Sequence, residues 1–388
     1  MVTGDGVTIQ KRRERADEAA RAIARVGVMT YAQIGRFLGI PQLTVERLVA
    51  YQPDVFTVKS PPKSMKMGRY EVSNRIQKVI GVTKETLAKW EQQENLQRVR
   101  PQVSAEVLPQ TLKVAEVLVG LNRSGELYTK WDVQLPVIRG LHAELIHTED
   151  PDQRIGVFVQ PDRLSVRERP NAKRIMGSIA RQVAGVVYKA TAYGSVSQIL
   201  FLCSSAFYYE TLDALSRLNY ERCFFYAVPY DAFIRNPSCF LESIVHGEIR
   251  WKNPLLEHLH GTKEMPGWRG DYFATVLIED RYRMVDVFCS GSADKVRQWL
   301  SETKGVATHD PKRDAVGRVY VENETMRVAL EKVLSDRRRH QEPSIVEVYP
   351  WPEGMDTSST KSAVIEDEFE EAWSDEEFLA AMDDPRMC

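Results

Sequence analysis

The stretch GVMTYAQIGRFLGIPQLTVERLVAYQPDVF, residues 27–56, decides how the N-terminal part of this chain is read. Thr30 precedes an apolar-periodic run, where its hydroxyl can accept from the unpaired N–H groups of a helix start. Gly39 follows that run and supplies the left-handed residue that ends helices. Pro41 opens the next run, where a missing N–H costs nothing. Two short helices, YAQIGRFLG and LTVERLVAY, are predicted, with Ala32, Ile34, Phe37 and Leu38 packing inward against Val45 and Leu48. Gln42, Thr44, Glu46 and Arg47 then face out. This is the pattern of a helix-turn-helix, whose second helix lies in the DNA major groove and meets base edges and phosphates.

Upstream, KRRERADEAARAIARVG predicts a long helix with Ala16, Ala19, Ala20, Ile23 and Ala24 on its apolar face and Gly27 as its stop. Downstream, DVFTVKSPPKSMKMGRYEVSN gives two strand-like runs around a tip carrying Lys63, Lys66 and Arg69. A hairpin placed there is the wing of a winged helix, and its cations would meet the DNA backbone or minor groove. Residues 1–100 hold 18 Lys and Arg against 10 Asp and Glu, which favours a polyanionic partner. The competing reading is a helical hairpin, or a winged helix used as an adaptor for protein contact. Residues 1–82 are thus predicted as a winged helix-turn-helix, with 83–110 as a helical connector ending in the Pro-marked break RPQVSAEVLPQ.

From residue 111 the pattern changes. TLKVAEVLVGLNRSG reads as a helix, and strand-like runs then alternate with helical ones: RIGVFVQP, RLSVRER, NAKRIMGSIARQVAGVVYKATAYG, QILFLCSS, AFYYETLDALSRLN, CFFYAVP and YDAFIRNPSCFLESIVHG. Alternation at this spacing predicts an α/β domain over 111–265 with some parallel strands, α+β overall with the N-terminal head. Residues 266–352 add the hairpin DYFATVLIED and YRMVDVFCSG, the helices SADKVRQWLSETK and ETMRVALEKVLSDRRRH, and the strand SIVEVYPWP. They either extend the same sheet or form a subdomain. No internal repeat is evident. No run approaches the ~18 apolar residues of a membrane helix, and the N-terminus has no apolar core of a secretory signal. The five cysteines are widely spaced, without C-x-x-C or finger spacing, as expected of buried free thiols in a reducing cytoplasm.

An α/β body behind a DNA-binding head raises the question of a Mg²⁺ nuclease, which gathers two or three carboxylates and a Lys. Glu144, Asp152, Asp162 and Glu168 are the candidates, with Asp152 and Asp162 each following a proline. Glu168 is followed by Arg169 and Pro170, so the Glu-x-Lys element is missing. Both aspartates also suit turns. No phosphate-binding glycine loop occurs. His142 with His147, and His258 with His260, lack further ligands for a metal shell. Tyr188, Tyr193, Tyr208 and Tyr209 are read as packing residues, since a DNA-nicking tyrosine would need a histidine metal triad. No metal or other cofactor is expected, except Mg²⁺ on the nuclease alternative.

Residues 353–388 are Ser, Thr and acid-rich, with 10 acids and no bases in 362–385. Interleaved Phe369, Trp373, Phe378, Leu379 and Met382, with a Ser374–Glu377 capping box, suggest a disordered tail that folds onto a protein partner. An intramolecular cover for the basic head and a merely solubilising tail are the other readings.

The layout resembles the replication-relaxation family of plasmid, phage and integrative-element proteins, which carry a winged helix before a restriction-nuclease-like domain. The resemblance rests on ARAIARVGVMTYAQIGRFLG, on GRYEVSN as the strand closing the wing, and on QILFLCSSAFYYETLDAL with CFFYAVPYDAFIRNP, across residues 15–245. It implies binding of double-stranded DNA in the replication or transfer of a mobile element. The missing Glu-x-Lys element departs from the family's nuclease relatives, and residues 250–388 have no counterpart in it. The expectation is a cytoplasmic, homodimeric, sequence-specific DNA-binding protein acting in replication, transfer or transcriptional control. Gln42, Thr44 and Arg47 would read the groove, and Lys63, Lys66 and Arg69 would line the wing.

Overall fold

The computed structural model describes residues 4–59, 66–67, 70–71, 78–94, 108–123, 130–161 (Val137 and Arg139 excepted), 171–191, 196–246, 255, 258–259, 274–278, 281–300, 316–337 and 346–351. The chain is mixed α/β and divides into two compact units. Described residues of the first fall within 1–64 and 73–123, those of the second within 65–72 and 124–359. No helix among the described residues is long and apolar enough to cross a membrane.

The first unit is organised on α1 (Gly4–Val26), which ends where Gly27 turns to φ 94° and donates its N–H to Ile23 O at 2.7 Å. Its buried face is rich in alanine, Ala16, Ala19, Ala20 and Ala24. Such small side chains let α2 (Tyr31–Leu38), α3 (Gln42–Ala50), α4 (Lys84–Glu94) and α5 (Leu108–Arg123) pack against one helix. β1 (Phe56–Lys59) pairs antiparallel with β4 (Val79–Val82), Phe56 opposite Val82 and Val58 opposite Ile80. Met29 bridges to the other side of β4, exchanging bonds of 3.0 and 2.8 Å with Ile80. The order along the first unit is helix, bridge, helix, helix, strand, strand.

Two expectations are corrected here. The partner of β1 is VIGV at 79–82, not GRYEVSN. Val79, Ile80 and Val82 are buried, and a strand is chosen by the apolar face it can bury. In GRYEVSN, β3 (Tyr70–Glu71) pairs instead with β2 (Lys66–Met67). The second correction concerns residues 111–123, assigned above to the α/β domain. They lie in α5, whose Leu108 and Leu112 join Val28 and Val79 in one apolar cluster, so the first unit runs to Arg123.

The second unit holds two larger sheets. The first has the order β5 (Trp131–Gln134), β6 (Ala143–His147), β7 (Arg154–Val159), β8 (Gln198–Cys203), β9 (Phe224–Pro229). β5, β6 and β7 form an antiparallel meander, and β8 and β9 are added in parallel. Between the parallel strands run α6 (Ala172–Thr191) and α7 (Tyr208–Leu215). β7 and β8 are buried almost end to end, as strands inside a layered sheet must be, while β5 alternates. YDAFIRNPSCFLESIVHG, read as one helix, is two, α8 (Tyr230–Arg235) and α9 (Pro237–His246). Pro237 lacks the N–H to continue, and Asn236 Oδ1 accepts from Cys239 N at 3.3 Å to start the second.

The second sheet is separate, with the order β10 (Ala274–Ile278), β11 (Arg281–Val287), β12 (Val316–Val321), β13 (Val346–Pro350). A helix through residues 293–300 (α10) precedes β12, and α11 (Glu324–Arg337) precedes β13. β10 and β11 are antiparallel, and the next two pairs are parallel. This repeats the succession β6, β7, α6, β8, α7, β9, so the unit contains a topological repeat that the sequence conceals. The equivalent helices α7 and α11 pack together. There Tyr209 Oη donates to Asp336 Oδ2 at 2.7 Å, and Lys332 Nζ stands 4.0 Å from the Tyr209 ring centroid.

Candidate nucleic-acid interface

The first unit presents α3 on a braced support. Thr30 caps α2 in a reciprocal box: Gln33 N donates to Thr30 Oγ1 at 3.2 Å, and Thr30 N donates to Gln33 Oε1 at 2.9 Å. Gly39 takes the left-handed conformation at φ 67°, and Ile40 N returns to Gly35 O at 2.9 Å. The turn is so tight that a Cβ on Gly35 would stand 2.7 Å from Ile40 O. Ile34 and Phe37 are buried, with Val45, Leu48 and Val49 from α3. Ala32 is exposed and Leu38 half-buried, contrary to expectation, because Gln33 and Gly35 take the inward positions.

Gln33 is the residue that sequence reasoning missed. Its Nε2 donates to Leu112 O of α5 at 2.7 Å, which repays burial of its amide. Asn122 Nδ2 donates to Phe37 O at 2.6 Å, and Arg36 pairs with Glu116. α5 therefore holds α2 at three polar points along its length. A support fixed this way lets α3 keep one orientation, which recognition of base edges requires.

On α3, Gln42 is exposed, and Thr44, Glu46 and Arg47 are half-buried. Gln42 Nε2 donates to Glu46 Oε1 at 2.9 Å, so the two side chains act as one polar ridge. Burial raises the Tyr31 phenol pKa, and the Glu46 carboxylate adds to it. Leu43, not singled out from the sequence, is 58% exposed beside this ridge. Gln42, Thr44 and Arg47 thus share one short helix. Lys63 and Arg69 lie outside the described residues, and Lys66 is described only as a backbone position of β2 opposite Glu71. The tail residues Phe369, Trp373, Phe378, Leu379 and Met382 also lie outside them.

Of the nuclease candidates, the two among the described residues, Glu144 and Asp152, do not meet. Glu144 on β6 is buried, accepts from Ile138 N at 3.4 Å, and stands opposite Gly156. β7 reads RIGVFV and supplies no carboxylate to that position. Asp152 sits exposed in the turn at the other end of the β6–β7 hairpin, three strand residues away at ~3.3 Å each plus the turn. Asp162 and Glu168 lie outside the described residues. Among the described residues, no three of His, Cys, Asp and Glu are grouped to hold a metal ion. His142 stacks on Phe158 at 4.9 Å and accepts from Val159 N at 3.0 Å, and His147 packs edge-on against Trp131. Tyr188 stacks on Tyr220 at 4.1 Å, and Tyr208 is wholly buried.

Compared with protein-family models, curated proteins and solved structures, the chain gives no match.

Proposed function

We propose that the first unit is a winged helix-turn-helix and that the chain is a sequence-specific binder of double-stranded DNA. The observation that carries this reading is the antiparallel β1–β4 pair that follows the tight α2–α3 pair, joined on its other side by Met29 from before α2, the order of elements a winged helix requires. Exposed Gln42 and half-buried Thr44 and Arg47 of α3 would enter the major groove, and Lys63, Lys66 and Arg69, which follow β1 in the sequence, would meet the backbone. The resemblance to the replication-relaxation family supports a role in replication, transfer or transcriptional control of a mobile element. A homodimer in the cytoplasm would double the few base pairs that one such helix reads. The body serves as a scaffold, and the acidic tail recruits a protein partner.

Fluorescence anisotropy on duplex DNA across a salt series tests this. Binding should weaken steeply with salt. Arg47→Ala should cost ~1–3 kcal/mol and relax specificity, and Lys66→Ala should reduce the salt slope by about 1. Absence of binding at low salt would overturn the reading. A second reading, a protein-docking adaptor, is favoured by Leu43 at 58% and Val58 at 46% exposed on this unit. It predicts no salt-dependent DNA affinity and a loss of partner binding in Leu43→Asp.

A further inference from the structure

We propose that Cys239 and Cys289 are a dithiol pair that closes to a disulfide under peroxide, a modification site that ties together the two repeated halves of the second unit. The two sulfurs lie 2.7 Å apart, and Cys289 Sγ also points at Cys239 O at 3.9 Å. Nonbonded heavy atoms rest at ~3.5–4.0 Å, and a disulfide bond is ~2.05 Å. The fold has therefore brought the pair most of the way from contact to bond.

Both positions are set by rigid elements. Cys239 sits in α9, started by the Asn236 cap, and Cys289 follows β11. The segment just after Cys289 is pinned: Ala227 N donates to Gly291 O at 2.9 Å, and a Cβ on Gly291 would stand 1.8 Å from Ala227 O. Both cysteines are buried, so random collision with other thiols is excluded and the neighbour is the resolving group. Cys203 and Cys223 are buried too, but Cys223 has its thiol pushed up to about 12, mainly by burial and further by Asp294. It stays a thiol at neutral pH and makes an internal control.

The chemistry needs a small oxidant that can enter during local opening, and hydrogen peroxide is one. One thiolate attacks a peroxide oxygen, the O–O bond breaks, and a sulfenic acid forms while the released hydroxide takes the thiol's proton and leaves as water. The second sulfur then displaces the sulfenic hydroxyl, forming the S–S bond, and its proton leaves with that hydroxyl as a second water. The two thiols give up two electrons and the peroxide accepts them. The link joins the helix after the first sheet to the loop after β11.

The test uses the full chain in a Cys388→Ser background, treated with peroxide, denatured, alkylated and mapped without reduction. The expected result is one linked peptide pair joining Cys239 to Cys289, with Cys203 and Cys223 alkylated. The intact mass should fall by two hydrogens, and the melting temperature should rise by several degrees and return on treatment with dithiothreitol. Cys239→Ser should lose both the linked species and the rise in melting temperature. If that variant fails to fold, the peptide map of the parent chain decides alone. Alkylation of both Cys239 and Cys289, their conversion to sulfinic acids without linkage, or linkage to Cys203 or Cys223 would each overturn the proposal.

Discussion

The two sheets of the second unit follow one plan and fasten it with different chemistry. In each, a strand that ends a hairpin is tied to the helix of the following crossover by a buried polar side chain. In the first sheet this is Gln160, just past β7. Its Nε2 donates to Met176 O of α6 at 3.1 Å, and its Oε1 accepts from Thr211 Oγ1 at 2.7 Å. In the second it is Asp286 of β11, which receives Lys295 Nζ at 2.7 Å and Trp299 Nε1 at 3.1 Å, both from α10. One fastening is neutral and the other ionic. A neutral network needs only that every group find a partner, whereas a buried carboxylate must also offset the loss of its hydration. The same topology therefore carries different vulnerabilities in its two halves.

Removing the ionic fastening should give the largest effect. Asp286→Ala leaves the Lys295 ammonium without its carboxylate next to a fully buried site, and should destabilise the chain by ~3–5 kcal/mol in urea unfolding. Asp286→Asn with Lys295→Met copies the neutral fastening of the first sheet and keeps an acceptor for the Trp299 indole. It should lose clearly less than the single variant. Equal losses would mean that charge is not what distinguishes the halves. Gln160→Ala comes next: it removes two buried hydrogen bonds, to Met176 O and from Thr211 Oγ1, leaving that hydroxyl on Phe207 O at 3.0 Å, and at ~0.5–1.5 kcal/mol per bond should cost ~1–3 kcal/mol by the same measurement.

The sequence hides this repeat because the two halves agree in roles rather than residues. Ser204 Oγ accepts from Ala206 N after β8, and Asn323 Oδ1 accepts from Met326 N after β12. β9 ends on Pro229 before Tyr230, and β13 ends on Pro350 before Trp351. Long apolar runs such as QILFLC and RIGVFV were legible as strands. β5, β6 and β12 were missed because they are short or interrupted by Asp132, Gln134, Glu144 and Arg318. The Arg318 guanidinium lies 4.8 Å above the Tyr349 ring, a partner 31 residues along the chain that no local pattern announces. In the head, the Thr30 cap, the Gly39 turn and the exposed Gln42 were readable from local chemistry, whereas Thr44, Glu46 and Arg47, expected to face out, are half-buried. Gln33 was not readable, since its place inside depends on Leu112, 79 residues away. Nor was the strand at 79–82, because GRYEVSN lies nearer to β1 along the chain, and the cluster that buries Val79 is built from the distant Val28, Leu108 and Leu112.

The smallest effect concerns the contact between the equivalent helices α7 and α11, and it carries a pH signature. Burial raises the Tyr209 phenol pKa, and its hydrogen bond to Asp336 and the nearby carboxylates of Asp213 and Glu210 raise it further. The fold prefers the neutral phenol. Its contribution is complete below the ordinary phenol pKa of ~10 and is lost as pH rises through the higher folded value. Tyr209→Phe deletes the hydroxyl but keeps the ring beneath Lys332, so it isolates the hydrogen bond from the cation–π contact. Near pH 7 it should cost ~0.5–1.5 kcal/mol. Above pH ~10 the gap between the parent chain and the variant should close, because only the parent has a phenol to lose. A gap that stays constant with pH would show that the phenol is not held neutral by Asp336. The two equivalent helices would then be joined by packing and by the Lys332–Tyr209 contact.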